Sequence, residues 1–217
     1  MNTKHVPVCF LFSVFLLLSN NAMAQKADVA FSVGASSVSD THLTFDCPLG
    51  AACDNIPPES VKTGHDVFWE GTFSSRLIDA KLASIHIEIP IAGIAHQQAT
   101  FTQSPNVFIA HFSSLYITPS LKTKFFPASP ISPWISLGGG LAHFSFPDDH
   151  TNKFALQLGA GADIKTPLPH LGLRVELRDF LSGQPSFGTP GVGLAGNPES
   201  GLSRHNVFAG GGVVFHF

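Results

Sequence analysis

Leu171-Gly172-Leu173-Arg174-Val175-Glu176-Leu177-Arg178 alternates without a break. Leu171, Leu173, Val175 and Leu177 form an apolar face, and Gly172, Arg174, Glu176 and Arg178 form a face of glycine and charge. A period of two is the mark of a β-strand, because successive side chains point to opposite sides of a sheet. The charged face carries both signs, so neighbours on it can pair. The segment before it repeats the pattern, with Phe154, Leu156, Leu158, Ala160, Ala162 and Ile164 set against Gln157, Gly159, Gly161, Asp163 and Lys165. Only residues 166–170 separate the two, which leaves room for a tight turn.

Six further segments alternate. Residues 27–37 set Val29, Phe31, Val33 and Ala35 against Ser32, Gly34 and Ser36. Residues 66–76 set Val67, Trp69, Gly71 and Phe73 against Glu70, Thr72 and Ser74. Residues 80–90 set Ile85, Ile87 and Ile89 against His86 and Glu88. Residues 112–125 set Leu115, Ile117, Leu121 and Phe125 against Tyr116, Ser120, Lys122 and Lys124. Residues 133–144 carry Ile135, Leu137 and Leu141, and residues 207–217 carry Val207, Ala209, Gly211, Val213, Phe215 and Phe217 on one face. Pro90 and Pro119 cannot donate to a ladder and mark strand ends or a bulge. The connections 77–80, 127–132 and 166–170 are short. The connections 38–65, 91–111, 145–153 and 181–205 are mostly longer, and the two kinds alternate.

The apolar faces need an apolar surrounding. The chain is 44% hydrophobic with 20 Phe, and only 12% charged, against about a quarter charged in soluble domains. No segment beyond the N-terminus approaches the ~20 apolar residues of a membrane-crossing helix. A secreted, soluble β-sandwich that binds a partner is one alternative, but it turns charge outward and apolar residues inward, and this chain is poor in surface charge. A closed barrel satisfies every backbone group between strands and turns its apolar faces to lipid. The fold class predicted is therefore all-β: an eight-stranded antiparallel transmembrane β-barrel with short periplasmic turns and long extracellular loops.

The N-terminus reads as an export signal. Lys4 precedes an apolar run, Val8 to Leu18, and small residues stand at Ala22 and Ala24. The run is too short to span a bilayer. Residues 1–24 are expected to be cleaved, leaving residues 25–217 as one barrel domain. The net charge of −3 argues against a nucleic-acid partner, which would call for a basic patch.

An eight-stranded lumen is just wide enough for side chains to fill. The inward charges would be Glu70, His86, Glu88, Lys122, Lys124, Asp163, Lys165, Arg174, Glu176 and Arg178. Unpartnered, each would cost several kcal/mol, so they read as a salt-bridge network plugging the lumen, with a gated ion path or proton relay as the alternative. The runs Gly138-Gly139-Gly140 and Gly210-Gly211-Gly212 fall inside strands, where they allow curvature and close packing. Cys47 and Cys53 flank a short stretch of the first long connection and read as a disulfide in an exported chain. The histidines are scattered without ligand spacing, so no metal or cofactor is expected.

The final strand, ending on Phe217, resembles the closing strand of bacterial outer-membrane barrels, where a terminal Phe is part of the signal read by the barrel-assembly machinery. Across residues 25–217 the pattern resembles the small barrels of the OmpA-transmembrane-domain and OmpX kind. That resemblance implies a Gram-negative-type outer membrane, contact with its lipid, a monomer, and a structural or surface-interaction role concentrated in the loops. An enzymatic relative is the lipid A deacylase group, with a His-x-Ser pair on the penultimate strand and a carboxylate nearby. Here Leu173 to Phe180 resembles that strand in character but contains no His. His111-Phe112-Ser113 and His143-Phe144-Ser145 each put His and Ser on one strand face. His111 and Ser113 would be the pair for an outer-leaflet lipid-modifying activity; the reading preferred has no catalysis.

Overall fold

A computed structural model describes residues 27–38, 41–43, 59–63, 66–103, 106–147, 150–183 and 204–217. Residues 1–24, Cys47 and Cys53 lie outside them. The described residues form eleven strands and no helix: β1 (Ala27–Val38), β2 (Thr41–Leu43), β3 (Glu59–Thr63), β4 (Asp66–Asp79), β5 (Ala83–Gln103), β6 (Asn106–Ile117), β7 (Ser120–Phe125), β8 (Ile131–Ser145), β9 (His150–Lys165), β10 (Leu171–Ser182) and β11 (Arg204–His216).

β6 and β7 are two halves of one wall strand, both running between β5 and β8. β1 pairs with β4 on one side and β11 on the other, so the sheet closes on itself. The result is an eight-stranded antiparallel barrel. The short connections 80–82, 126–130 and 166–170 collect at one end. There Phe217 donates its backbone N–H to Ala27 at 2.8 Å, joining the first and last strands. The other end carries the remaining connections.

Period-two alternation becomes an inside and an outside. On β10, Arg174, Glu176 and Arg178 are buried, while Leu173, Val175 and Leu177 are about half exposed on the outer surface. Across the strands the same belt continues through Leu137, opposite Leu158 on β9, and Val33, opposite Trp69 on β4. Val67, at 77% exposure, and Leu137, at 64%, would be costly in water, where nothing covers them. A lipid surrounding removes that cost.

Two expectations about the connections change. Residues 91–111 are not a loop: β5 runs on to Gln103 and β6 starts at Asn106, paired through residues 97–112. This stretch is rich in Gln and Thr, and a strand standing clear of a bilayer needs no apolar face. β2 and β3 form a short hairpin that pairs onto the same extension of β5. The prolines are placed economically. Pro90 lies inside β5, not at its end, and the break between β6 and β7 at Thr118 and Pro119 falls opposite it. The Pro90 carbonyl still accepts from the Thr118 N–H at 3.4 Å, and the Pro119 carbonyl from the Gly139 N–H at 3.2 Å. Two residues that each lack a donor thus share one gap in the ladder.

Candidate functional site: a lumen filled in two layers

In the half of the lumen nearer the short turns, buried charge from six strands converges. Arg178 reaches Glu70 (Nε to Oε1, 3.0 Å), Glu88 (Nη1 to Oε1, 2.9 Å) and Glu176 (Nη2 to Oε2, 3.3 Å). Arg174 grips Asp163 with two nitrogens, at 2.8 and 3.2 Å. Lys122 meets Glu88 at 3.0 Å, and Lys124 meets Asp163 at 2.7 Å and Asp28 at 3.7 Å. Glu88 therefore faces three cations, with Arg174 the most distant at 4.0 Å. The Trp134 ring lies among the same cations, 4.3 Å from Lys122 Nζ and 5.0 Å from the Arg178 guanidinium. Each charge brings several kcal/mol of desolvation cost, offset only by this dense pairing. Gly161 makes the ring's position possible: a Cβ there would come within 2.5 Å of the indole.

Of the residues read from the sequence as lumen charges, Glu70, His86, Glu88, Lys122, Lys124, Asp163, Arg174, Glu176 and Arg178 are buried. Lys165 has the same parity but stands exposed at the rim, where Nζ donates to the Ala128 carbonyl at 2.9 Å. His86 pairs with Ser84 (Nε2 to Oγ, 2.9 Å). Asp28 was not singled out from the sequence, yet it joins Lys124 and accepts from His216 Nδ1 at 2.7 Å. Trp134 was also missed; it shares the parity of Ser136, which would have marked it as inward. A vestibule of about 380 Å³ opens below this layer, lined in part by Asp28, Lys124, Asp163, Lys165 and His216.

The half nearer the long connections is aromatic. Phe68 stacks on Phe208 at 4.7 Å between centroids. Tyr116 lies 4.8 Å from Phe180 and meets Phe208 and Phe144 edge-on at 5.8 and 6.1 Å. Phe112 adds to the cluster beside Phe144, at 6.4 Å. These side chains are inward and buried, so the inner face is polar over only part of its length. Gly34 and Gly210 flank Phe68, and a Cβ on either would stand 2.7 Å from its ring. Ion pairs below and packed rings above fill the barrel's width.

The two His-x-Ser pairs lie on the outer surface near the long connections. Ser113 on β6 is directly opposite Ser145 on β8, and Leu115 is opposite His143, so the fold brings the pairs onto neighbouring strands. Among the described residues no hydrogen bond joins His111 to Ser113 or His143 to Ser145. His143 Nδ1 is instead 2.6 Å from Asn152 Oδ1. No group of three His, Cys, Asp or Glu able to hold a metal occurs among the described residues.

No protein-family model and no curated protein sequence matches the chain. Solved structures do resemble it. The outer membrane protein OprG from Pseudomonas aeruginosa superposes with a TM-score of 0.58 at 14% identity, covering 89% of this chain and 96% of that one. Neisserial surface protein A gives 0.47 at 12% identity, covering 88% and 97%. The outer membrane enzyme PagL gives 0.41 at 13% identity, covering 86% and 97%. At such identities the likeness is one of fold. The protein has the fold of the small outer-membrane β-barrels, and its belt of outward apolar side chains suits a lipid surrounding.

Proposed function

We propose that the protein is a non-conducting barrel of a Gram-negative-type outer membrane, with a structural or surface-interaction role carried by the strand extensions and connections at its outer end. The filled lumen carries this reading: five buried carboxylates face four buried cations in one layer, and packed rings close the next. In outer-membrane barrels the short turns face the periplasm, so the aromatic layer would lie in the extracellular half of the lumen. Residues 1–24, read as an export signal, and Cys47 and Cys53, read as a disulfide of an exported chain, agree with this proposal. The strand ending on Phe217 would engage the barrel-assembly machinery, and the folded product would be a monomer in contact with lipid.

Outer-leaflet lipid modification by His111 and Ser113 is the second reading, favoured by the clustering of both His-x-Ser pairs on the outer surface. It lacks a carboxylate bound to either histidine among the described residues, and a serine nucleophile needs a base held in place.

The test is conductance across a planar lipid bilayer by the purified, folded barrel, with folding checked by a heat-dependent shift in gel mobility. A flat current trace is the expected result. Steady, reproducible single-channel steps would overturn the closed-lumen reading.

A further inference from the structure

We infer that the outer mouth of the lumen, beyond the packed rings of Phe68, Phe180 and Phe208, holds a binding site for a small apolar carboxylate, anchored by Arg204. The other buried cations of the lumen, Lys122, Lys124, Arg174 and Arg178, each have a carboxylate within 4.0 Å. Arg204 is equally buried, at 2% exposure, and has none among the described residues; its Nε and Nη2 lack hydrogen-bond partners there. Its guanidinium lies over the rings of Phe112 and Phe144, at 5.4 and 5.7 Å.

Other polar groups gather at the same level. Ser182 is the direct cross-strand partner of Arg204, and the Tyr116 hydroxyl lies among Ser114, Ser182 and Arg204. Asn206, two residues along the same inward face, and Gln97, the cross-strand partner of Phe112, are fully buried, and neither amide has a partner for its oxygen or nitrogen among the described residues. An unsatisfied buried polar group costs about 1–3 kcal/mol. In the charged layer below every cation faces a carboxylate, and at the level of Arg204 none does among the described residues.

The groups specify their ligand. A guanidinium fork matches a carboxylate in geometry and charge. The amides and hydroxyls can hold a second oxygen. The phenyl rings fit an aromatic or aliphatic body. A single cation that faces no carboxylate among the described residues favours a monoanion over a dianion, and an amine is repelled. Arg204 is the first residue of β11 and Ser182 the last of β10, so the anchor lies next to the outer mouth. The inference requires the barrel fold and is independent of whether the barrel conducts.

Isothermal titration of the folded, full-length mature protein in an uncharged maltoside detergent tests it, with phenylpropionate as the probe and phenylpropanamide as its neutral match. Saturable one-to-one binding of the acid is expected, about tenfold tighter than the amide, a difference of ~1.4 kcal/mol. Arg204→Met is expected to erase that preference and Arg204→Lys to retain part of it, each with its heat-dependent shift intact. Should the Met variant not fold, Gln97→Leu is expected to weaken binding of the acid. The proposal is overturned if the folded wild type shows no saturable binding, whether water or a carboxylate of the chain's own connections satisfies Arg204. Equal binding of acid and amide overturns it too, as does an Arg204→Met variant that binds the acid like the wild type.

Discussion

Arg178 on β10 meets Glu88 on β5 across the lumen, Nη1 to Oε1 at 2.9 Å. The two strands stand four places apart in a ring of eight, so the pair spans the barrel between opposite walls. Lys122 and Arg174 close on the same carboxylate. Glu88→Gln would leave three buried cations short of an anion. Breaking a buried pair from one side costs about 3–5 kcal/mol. The urea concentration at which the folded band disappears is expected to fall sharply. An unchanged midpoint would show that the cross-lumen contacts do not bear on stability.

Gly161 and Trp134 give a steric counterpart. Trp134 is fully buried among cations, and its indole fills the space a side chain at position 161 would need. Gly161→Leu is expected to cost about 1–3 kcal/mol through overpacking, and to shift the tryptophan emission as the ring is displaced. Gly71 faces open space on the outer surface, so Gly71→Leu serves as the control and should leave both readouts unchanged.

These two sites differ in how readable they are. Strict alternation from Leu171 to Arg178 marks the strand, and the chain's low charge content turns Arg174, Glu176 and Arg178 inward. The partner of Arg178 was not readable, because it depends on how far each strand is staggered around the barrel. Lys165 shows the same limit: parity alone directs it inward, but it lies just past the last enclosed level. The aromatic layer was hidden for a different reason. Phe68 shares the parity of Glu70, yet a reading that sorts faces by polarity takes inward to mean polar. Phe112, Phe144, Phe180 and Phe208 break that rule because a narrow barrel must fill its interior, and rings do so without needing partners for buried polar atoms.

His111 and Ser113 offer a chemical test. With no carboxylate holding the histidine among the described residues, His111→Ala and Ser113→Ala are expected to leave the acyl pattern of lipid A unchanged. Mass spectrometry of lipid A from cells expressing wild type, either variant or no protein should give one spectrum. A deacylated species present only with the wild type would establish the enzymatic reading.

Val175 tests the surrounding the barrel is built for. It lies midway along the outward face of β10, between Leu173 and Leu177, and its cross-strand neighbours are Ala162 and Gly211. Such small neighbours leave space for a long side chain, so Val175→Arg creates no clash and isolates the effect of solvent. Farther up the same face, Asp179 is met by His205 at 2.8 Å, as suits the polar edge of a membrane belt. In a bilayer, arginine near the midplane of a barrel's outer face costs about 2–4 kcal/mol, falling to about 0–1 kcal/mol near the interface. Val175→Arg is therefore expected to lower folding stability in lipid vesicles by that larger amount. Leu82→Arg, in the turn between β4 and β5, should change it little. Equal, small effects at both positions would mean that water, not lipid, covers the belt, and would return the chain to the soluble class despite its closed barrel.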